Sequence, residues 1–476
     1  MPDAIMPGGE LQIDAYDGTE TVAGQPDPKW TRWGTRARVK KPPEPLAAGE
    51  GPDPREWRDP AVGWGVLLPD NDAMSEAARA AGEDAPEPIR ELLAARPGSP
   101  VLRYRPEAWD GVRLRRYYTD GPAQDLQITG SDAGVARGRI PRYVLIVGSP
   151  SQVPWEVQFR LNVSLAVGRL DLPPEGLRNY VRALIGGWPG SEARRETPVF
   201  WGVDHGKEDI TWMMRRVIAE KVADGYAGDS ESRDGMRRLM GEQATAAELV
   251  SALEQCKPAI VVTTSHGMTG PVDDSAAMAR DLGMLVDQNK QLLHASDVLS
   301  KWHPDGAVWY AHACCSAGSD RTTHFGGLVD PESNIGRVLA AVAGLGARTA
   351  PFPTALLSAE RPLGAFVGHV EPTFNWTLRD PSTGQVVTGA LVEALYSRLF
   401  HQRPEPVGLA LDRVYEQVGP RYKEWSDARE KVNEGNAAAR ATATLAQLTA
   451  LDLQSLVILG DPTVALRPPA AAAGGV

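Results

Sequence analysis

Two short apolar runs, each stopping abruptly at a reactive side chain, constrain this chain more than anything else in it. AVWYAHACCSAG (307–318) delivers Cys314 and Cys315, and IVVTTSHG (260–267) delivers His266. Both runs are of strand length, are rich in β-branched or aromatic residues, and give way to small residues, as strands do at the carboxyl edge of a parallel sheet. Reactive groups in open α/β sheets gather just beyond those carboxyl ends, so two neighbouring strands would bring a thiol and an imidazole together. The residues between them leave room for one helical crossover, which parallel neighbours require. An imidazole beside a thiol takes its proton or stabilises the thiolate, the form that attacks. His266 would then return a proton to a leaving amine, and the Gly267 and Cys314 N–H groups, at sharp strand-to-loop turns, offer an oxyanion hole. Either run alone reads more simply as core, because free cysteine is among the most buried residue types.

At 476 residues the chain is too long for one compact core, and its 42% hydrophobic and 23% charged content is that of an ordinary globular protein. The expected divisions are an extended Gly-, Pro- and Asp-rich arm or linker over 1–60 and a smaller α/β subdomain over 61–192. A catalytic α/β domain over 193–467 and a disordered tail over 468–476 follow. A formal charge of −11 argues against a nucleic-acid partner. The opening residues lack a basic n-region and an apolar h-region, and no run approaches the roughly 18 apolar residues of a membrane span, so a cytoplasmic location without a membrane span is expected. Three cysteines, two of them adjacent, do not make a disulfide framework.

The strand ending in Ser265-His266-Gly267, followed about 50 residues later by one ending in Ala313-Cys314, resembles the caspase-like cysteine peptidases, the group holding caspases, gingipains, clostripain, separases and CHAT-type peptidases. Ala313-Cys314-Cys315-Ser316-Ala317-Gly318 is nearest the Ala-Cys-x-Ser endings of CHAT-type members and lacks the Arg-Gly that follows the caspase cysteine. RYVLIVGSPSQVPW (142–155), VSLAVGRLDLP (163–173) and LVILGDPTVAL (456–466) resemble segments of the gingipain-like branch. The resemblance covers residues 140–466 in outline. It implies a caspase-like fold, a mostly parallel sheet flanked by helices, and a cysteine endopeptidase acting on protein or peptide substrates. Cys314 would be the nucleophile and His266 the general acid/base, with no cofactor and no metal. The Ca²⁺ dependence of some relatives finds no recognisable ligand cluster here, and the secreted location of gingipains does not carry over. A regulated intracellular protease of this kind is compatible with an activating partner or self-cleavage.

Successive strand side chains face opposite ways, so only one of the adjacent cysteines can present its sulfur to His266. The Ala-Cys-x-Ser-Ala pattern and the strand length select Cys314; counting back from Gly318 selects Cys315, which stands as the alternative nucleophile. A vicinal disulfide is disfavoured in a reducing compartment. His312 shares the Cys314 face and is a rival base, though its place within the strand suits a core histidine better.

Along the rest of the chain, Trp30, Trp33 and Trp57 are expected to dock the N-terminal arm, and 62–69 to form an edge strand because Pro69 cannot donate to a ladder. Leu177, Tyr180, Val181, Leu184 and Ile185 recur at helical spacing. Arg169 reads as a structural fork, and Asp204-His205 as a turn capping a helix over 210–222. Thr245 and Glu248 form a capping box. Asp273, Asp274, Asp320 and His369 are candidate substrate-pocket residues; the three carboxylates predict cleavage after Arg or Lys. His369 shares the end of its strand with Glu371 and Trp376, and His324 is a weaker loop candidate. Two rival readings stand: a catalytically silent scaffold or regulatory protein, and a metal hydrolase built on Asp204, His205 and His266.

Overall fold

The computed structural model describes residues 11–16, 21–24, 51–381, 383–401 and 403–468. The contacts divide the chain into Met1–Asp53 and Pro54–Val476. In the first unit Leu11–Tyr16 pairs antiparallel with Thr21–Gly24; Trp30, Trp33 and most of the C-terminal tail lie outside the described residues.

The second unit is an α/β structure built on one twelve-stranded sheet. In chain order its strands are β1 (Trp64–Pro69), β2 (Val101–Tyr104), β3 (Arg113–Tyr118), β4 (Gly121–Gln127), β5 (Tyr143–Val147) and β6 (Ala166–Leu170). They continue with β7 (Val199–Gly202), β8 (Arg237–Met240), β9 (Ile260–Thr264), β10 (Val308–His312), β11 (Ala365–His369) and β12 (Leu456–Gly460). Across the sheet the order is β8-β7-β9-β10-β11-β12-β6-β5-β1-β2-β3-β4. Only β11–β12, β2–β3 and β3–β4 pair antiparallel. Strands before and after residue 193 thus occupy opposite halves of a single sheet, joined where β12 pairs with β6 through Leu459 and Arg169.

A sheet of this kind hides both faces, and the sequence supplies the runs this needs: YVLIV in β5, IVVTT in β9 and VWYAH in β10 are buried throughout. Alternation then sends Tyr143, Leu145 and Val147 of β5 into one core and Val144 and Ile146 into another. Helix α1 (Trp155–Asn162) closes the second core with Val157 and Leu161. Helix α2 (Pro174–Gly186) closes the first with Leu177, Tyr180, Val181 and Leu184, whereas Ile185 stays 44% exposed. The 62–69 run is not an edge strand: β1 lies between β5 and β2, and Pro69 is tolerated because it is the strand's last residue. Among the described residues no helix is long and apolar enough to cross a membrane.

Two buried polar anchors hold the joint between the halves. Arg169 is structural, as expected: its guanidinium bonds Gln158 and the Gly148 and Pro154 carbonyls and lies over the Trp155 ring, and burial lowers its pKa to about 9. Asp461, fully buried after the Gly460 turn, accepts from Trp64 Nε1 at 3.0 Å and from Arg96 at 3.1 Å, while its own N–H donates to the Tyr180 hydroxyl at 2.7 Å. The closing Leu-Gly-Asp-Pro segment therefore ties the last strand to β1 and α2. Removing one partner of a buried ion pair strands the other charge, so Asp461→Ala is expected to cost about 3–5 kcal/mol of unfolding free energy. Urea denaturation checks this; a loss below about 1 kcal/mol would show that Arg96 finds another partner.

Candidate active site

The site forms because three strands end side by side. β9 and β10 run parallel in register from Ile260↔Val308 to Thr264↔His312, and β7 flanks β9 with Gly202 opposite Thr264. The loops leaving these ends carry residues 203–209, Ser265-His266-Gly267 and Ala313-Cys314-Cys315. Gly267 must be glycine: a Cβ there would meet the Cys314 carbonyl oxygen at 1.9 Å and its nitrogen at 3.0 Å. This backbone-to-backbone contact sets the histidine turn against the cysteine turn.

His266 is oriented from behind. Its Nε2 lies 2.9 Å from Asp209 Oδ2, leaving Nδ1 free for a proton-transfer partner. Asp209 is the N-cap of the helical segment Ile210–Met214, its Oδ1 accepting the Thr211 N–H at 2.9 Å. Burial pushes the Asp209 carboxyl up, but the Thr211 and His266 hydrogen bonds outweigh it and hold the group below the usual carboxylate range. His205 stacks on His266 with ring centroids 5.7 Å apart, and its Nε2 meets the Asp287 carbonyl at 3.1 Å. The cap is therefore Asp209 rather than Asp204, which pairs instead with Arg215 at 3.0 Å. Metal-ligand chemistry follows the same shift: His205, Asp209 and His266 bring one ligand atom each within 4.8 Å of one another, and Asp204 is not part of the group.

The two cysteines face opposite ways. Cys315 takes a left-handed backbone conformation at φ 56°, its N–H donates to the Glu371 carbonyl, and its side chain is buried with Met278, Leu282, Val342 and Leu345. Cys314 is partly exposed and lines a cleft of about 630 Å³ together with His266. A second close approach, Gly283 against the Cys315 carbonyl, locks the turn from outside. The Thr373 N–H donates to Cys314 Sγ at 3.3 Å. Burial pushes the Cys314 thiol up, partly offset by Thr373, and pushes Cys315 up much further. At neutral pH the resting nucleophile candidate is a thiol.

Helical segment Ile210–Met214 forms one wall of the cleft, with Trp212 and Met213. Helix α3 (Asn334–Gly344) forms another, with Ile335 and Val338, and Pro372 to Asn375 close the site. The expected carboxylate pocket does not line it. Asp273 is exposed in the loop before the helix Ser275–Asp281, and Asp274 caps that helix through the Ala277 N–H. Asp320 is buried 3.8 Å from His324, which is itself held by Glu371 at 2.7 Å. His369 points into the interior, bonded to Ser455 and packed edge-on against His312 at 4.8 Å. Alternation along β10 and β11 puts both histidines under the sheet edge, so His312 is a core histidine, bonded to Tyr310. Asp209 and the Thr373 N–H are the participants that sequence reasoning missed. An Asp-x-Thr cap before an apolar helix was a local signal for the first; the second had none. No protein-family model and no curated protein matches the chain.

Behind the 373–377 wall lies a buried polar cluster of Asp452, His312 and His369. Asp452 accepts the Phe374 N–H at 3.0 Å and the Thr377 hydroxyl at 2.6 Å, holding the cleft wall beside the Thr373 donor. Burial raises Asp452 to about 7 and lowers His312 to about 4 and His369 well below the usual histidine range. Between pH 3.8 and about 7 the folded state holds a proton on Asp452 that the unfolded chain has released, so this group's stabilisation is lost as pH rises through that window. The two histidines act oppositely: the unfolded chain binds protons below 6.5 that the folded state refuses, so their contribution is lost as pH falls. Asp452→Asn removes only the first effect. Its unfolding free energy is expected to gain on wild type by up to about 1.4 kcal/mol per pH unit as pH rises through the window, read by urea denaturation across pH 4.5–7.5. Parallel profiles would place the Asp452 proton elsewhere.

Proposed function

We propose that this chain is a caspase-like cysteine endopeptidase in which Cys314 is the nucleophile, His266 the general acid/base and Asp209 the group that orients the imidazole. The observation that carries the reading is that Cys314 and an Asp209-backed His266 open onto one cleft. The resemblance noted along 140–466 agrees with it. Because burial keeps the thiol protonated, His266 Nδ1 takes the Sγ proton as sulfur attacks the scissile carbonyl carbon. Negative charge then develops on the carbonyl oxygen, for which the Gly267 and Cys314 N–H groups, held together by their backbone contact, are the candidate donors. His266 passes its proton to the leaving amine as the C–N bond breaks, leaving a thioester on Cys314. Water, deprotonated by His266, cleaves the thioester, releasing the carboxylic acid product and restoring the thiol. Asp209 stabilises the imidazolium in both halves of the cycle.

A non-catalytic scaffold needs neither the cap-to-imidazole bond nor a nucleophile in the cleft. One observation favours a second reading, a metal-dependent hydrolase: the His205, Asp209 and His266 group. An ion there would have to replace the Asp209–His266 hydrogen bond and compete with the His205–Asp287 contact.

Cys314→Ala and His266→Ala are expected to lower peptide cleavage by ~10⁴-fold or more, the scale set by removing members of a catalytic unit. Asp209→Asn should cost ~10²–10⁴-fold, the usual contribution of general acid-base catalysis. Cys315→Ala should keep most activity and lose about 1 kcal/mol of stability for its small cavity. If Cys315→Ala is the inactive variant and Cys314→Ala still turns over, the assignment is wrong by one residue. Chelators should leave turnover unchanged while thiol alkylation abolishes it; the reverse pattern selects the metal reading.

A further inference from the structure

Resting on the peptidase reading, we infer that the substrate presents a large apolar side chain, of the Leu, Met or Phe class, on the residue whose carbonyl Cys314 attacks. Cys314 and His266 line the same cleft as its apolar walls, so the side chain next to the reacting carbonyl has to enter between those walls. Trp212, Met213, Ile335, Val338 and Phe374 supply those apolar walls. Ile335 is 53% exposed, one of the few large apolar side chains left uncovered among the described residues, and it sits at the first turn of α3 beside the reactive groups. Scattered exposed apolar residues need no explanation, but one lining a concave site beside catalytic groups marks a surface that a ligand completes.

Charge points the same way. A guanidinium or ammonium taken out of water needs a carboxylate partner inside the site. The cleft-lining carboxylates are Glu208, which is exposed next to Lys207, and Asp209, which is committed to His266 and Thr211. Asp273, Asp274 and Asp320, the groups that would have favoured Arg or Lys, do not line the cleft: Asp273 is exposed in a loop, Asp274 caps a helix and Asp320 lies against His324. An acidic side chain fares no better, because the cleft-lining cation is Lys207, which is exposed, with the exposed Glu208 carboxylate next to it in the chain.

The test is to digest a mixed peptide library with the full-length chain, map the cleavage sites by mass spectrometry with Cys314→Ala as the control, and measure kcat/KM on matched peptides. Leu, Met or Phe at the cleaved position is expected to exceed Arg, Lys, Asp and Ala by at least ~10-fold, the scale on which an apolar pocket discriminates. Ile335→Asp, at an exposed position that folding tolerates, should narrow the gap between Leu and Arg peptides by ~10-fold or more by supplying the missing carboxylate. Cys314-dependent cleavage after basic or acidic residues overturns this inference and leaves the peptidase reading standing. Absence of any Cys314-dependent cleavage overturns both.

Discussion

Everything in the candidate site depends on β9 and β10 ending at the same level. Their register pairs Thr264 with His312, so the next residues on each chain leave the sheet together, and Gly267 can lie directly against the Cys314 backbone. A shift of one residue would turn every side chain of one strand to the other face and remove either the imidazole or the thiol from the cleft. The register is protected by burial: both strands are covered throughout, and a slip would cost their packing as well as their chemistry.

Around that contact the protein separates two kinds of polar group. Those in the cleft are held by short, specific bonds: Asp209 to His266, and the Thr373 N–H to the sulfur. Those below it, Asp452, His312 and His369, are shifted by burial toward their neutral forms. The layers meet at residues 373–377, where one strand-exit segment donates to Cys314 on its outer side and is anchored by Asp452 on its inner side. Backbone strain gathers here too, with Cys315 at φ 56° and Glu371 at φ 88°, both imposed by the tight exchange of hydrogen bonds between the two exits.

What was legible in the sequence was what neighbouring residues decide. Unbroken apolar runs announced β5, β9 and β10; Cys314 and Cys315 do face opposite ways, but β10 ends at His312 and it is the left-handed turn at Cys315 that parts them, not strand alternation. The Thr245 cap and the structural role of Arg169 were likewise local. Misreadings came where direction or distant partners decide. Pro69 suggested an edge, but a proline that ends a strand leaves its pairing intact. Asp273, Asp274 and Asp320 follow the two reactive turns in sequence, yet none lines the cleft: Asp273 is exposed in its loop, Asp274 caps a helix and Asp320 is buried near His324. Thr373 and Asp452 lie far from the motifs, and only the fold brings them to the thiol and its wall.

The central claim is that Cys314 is the one cysteine activated by His266. The most direct measurement is alkylation of the native protein by iodoacetamide, with the modified residue mapped by mass spectrometry in wild type and in His266→Ala. Labelling is expected at Cys314 first, slowed at least ~10-fold without the imidazole, in line with the usual size of general-base assistance. Cys315 and Cys256, both buried, should stay unlabelled until the chain unfolds. Labelling of Cys315 first, or a Cys314 rate indifferent to His266, would contradict it.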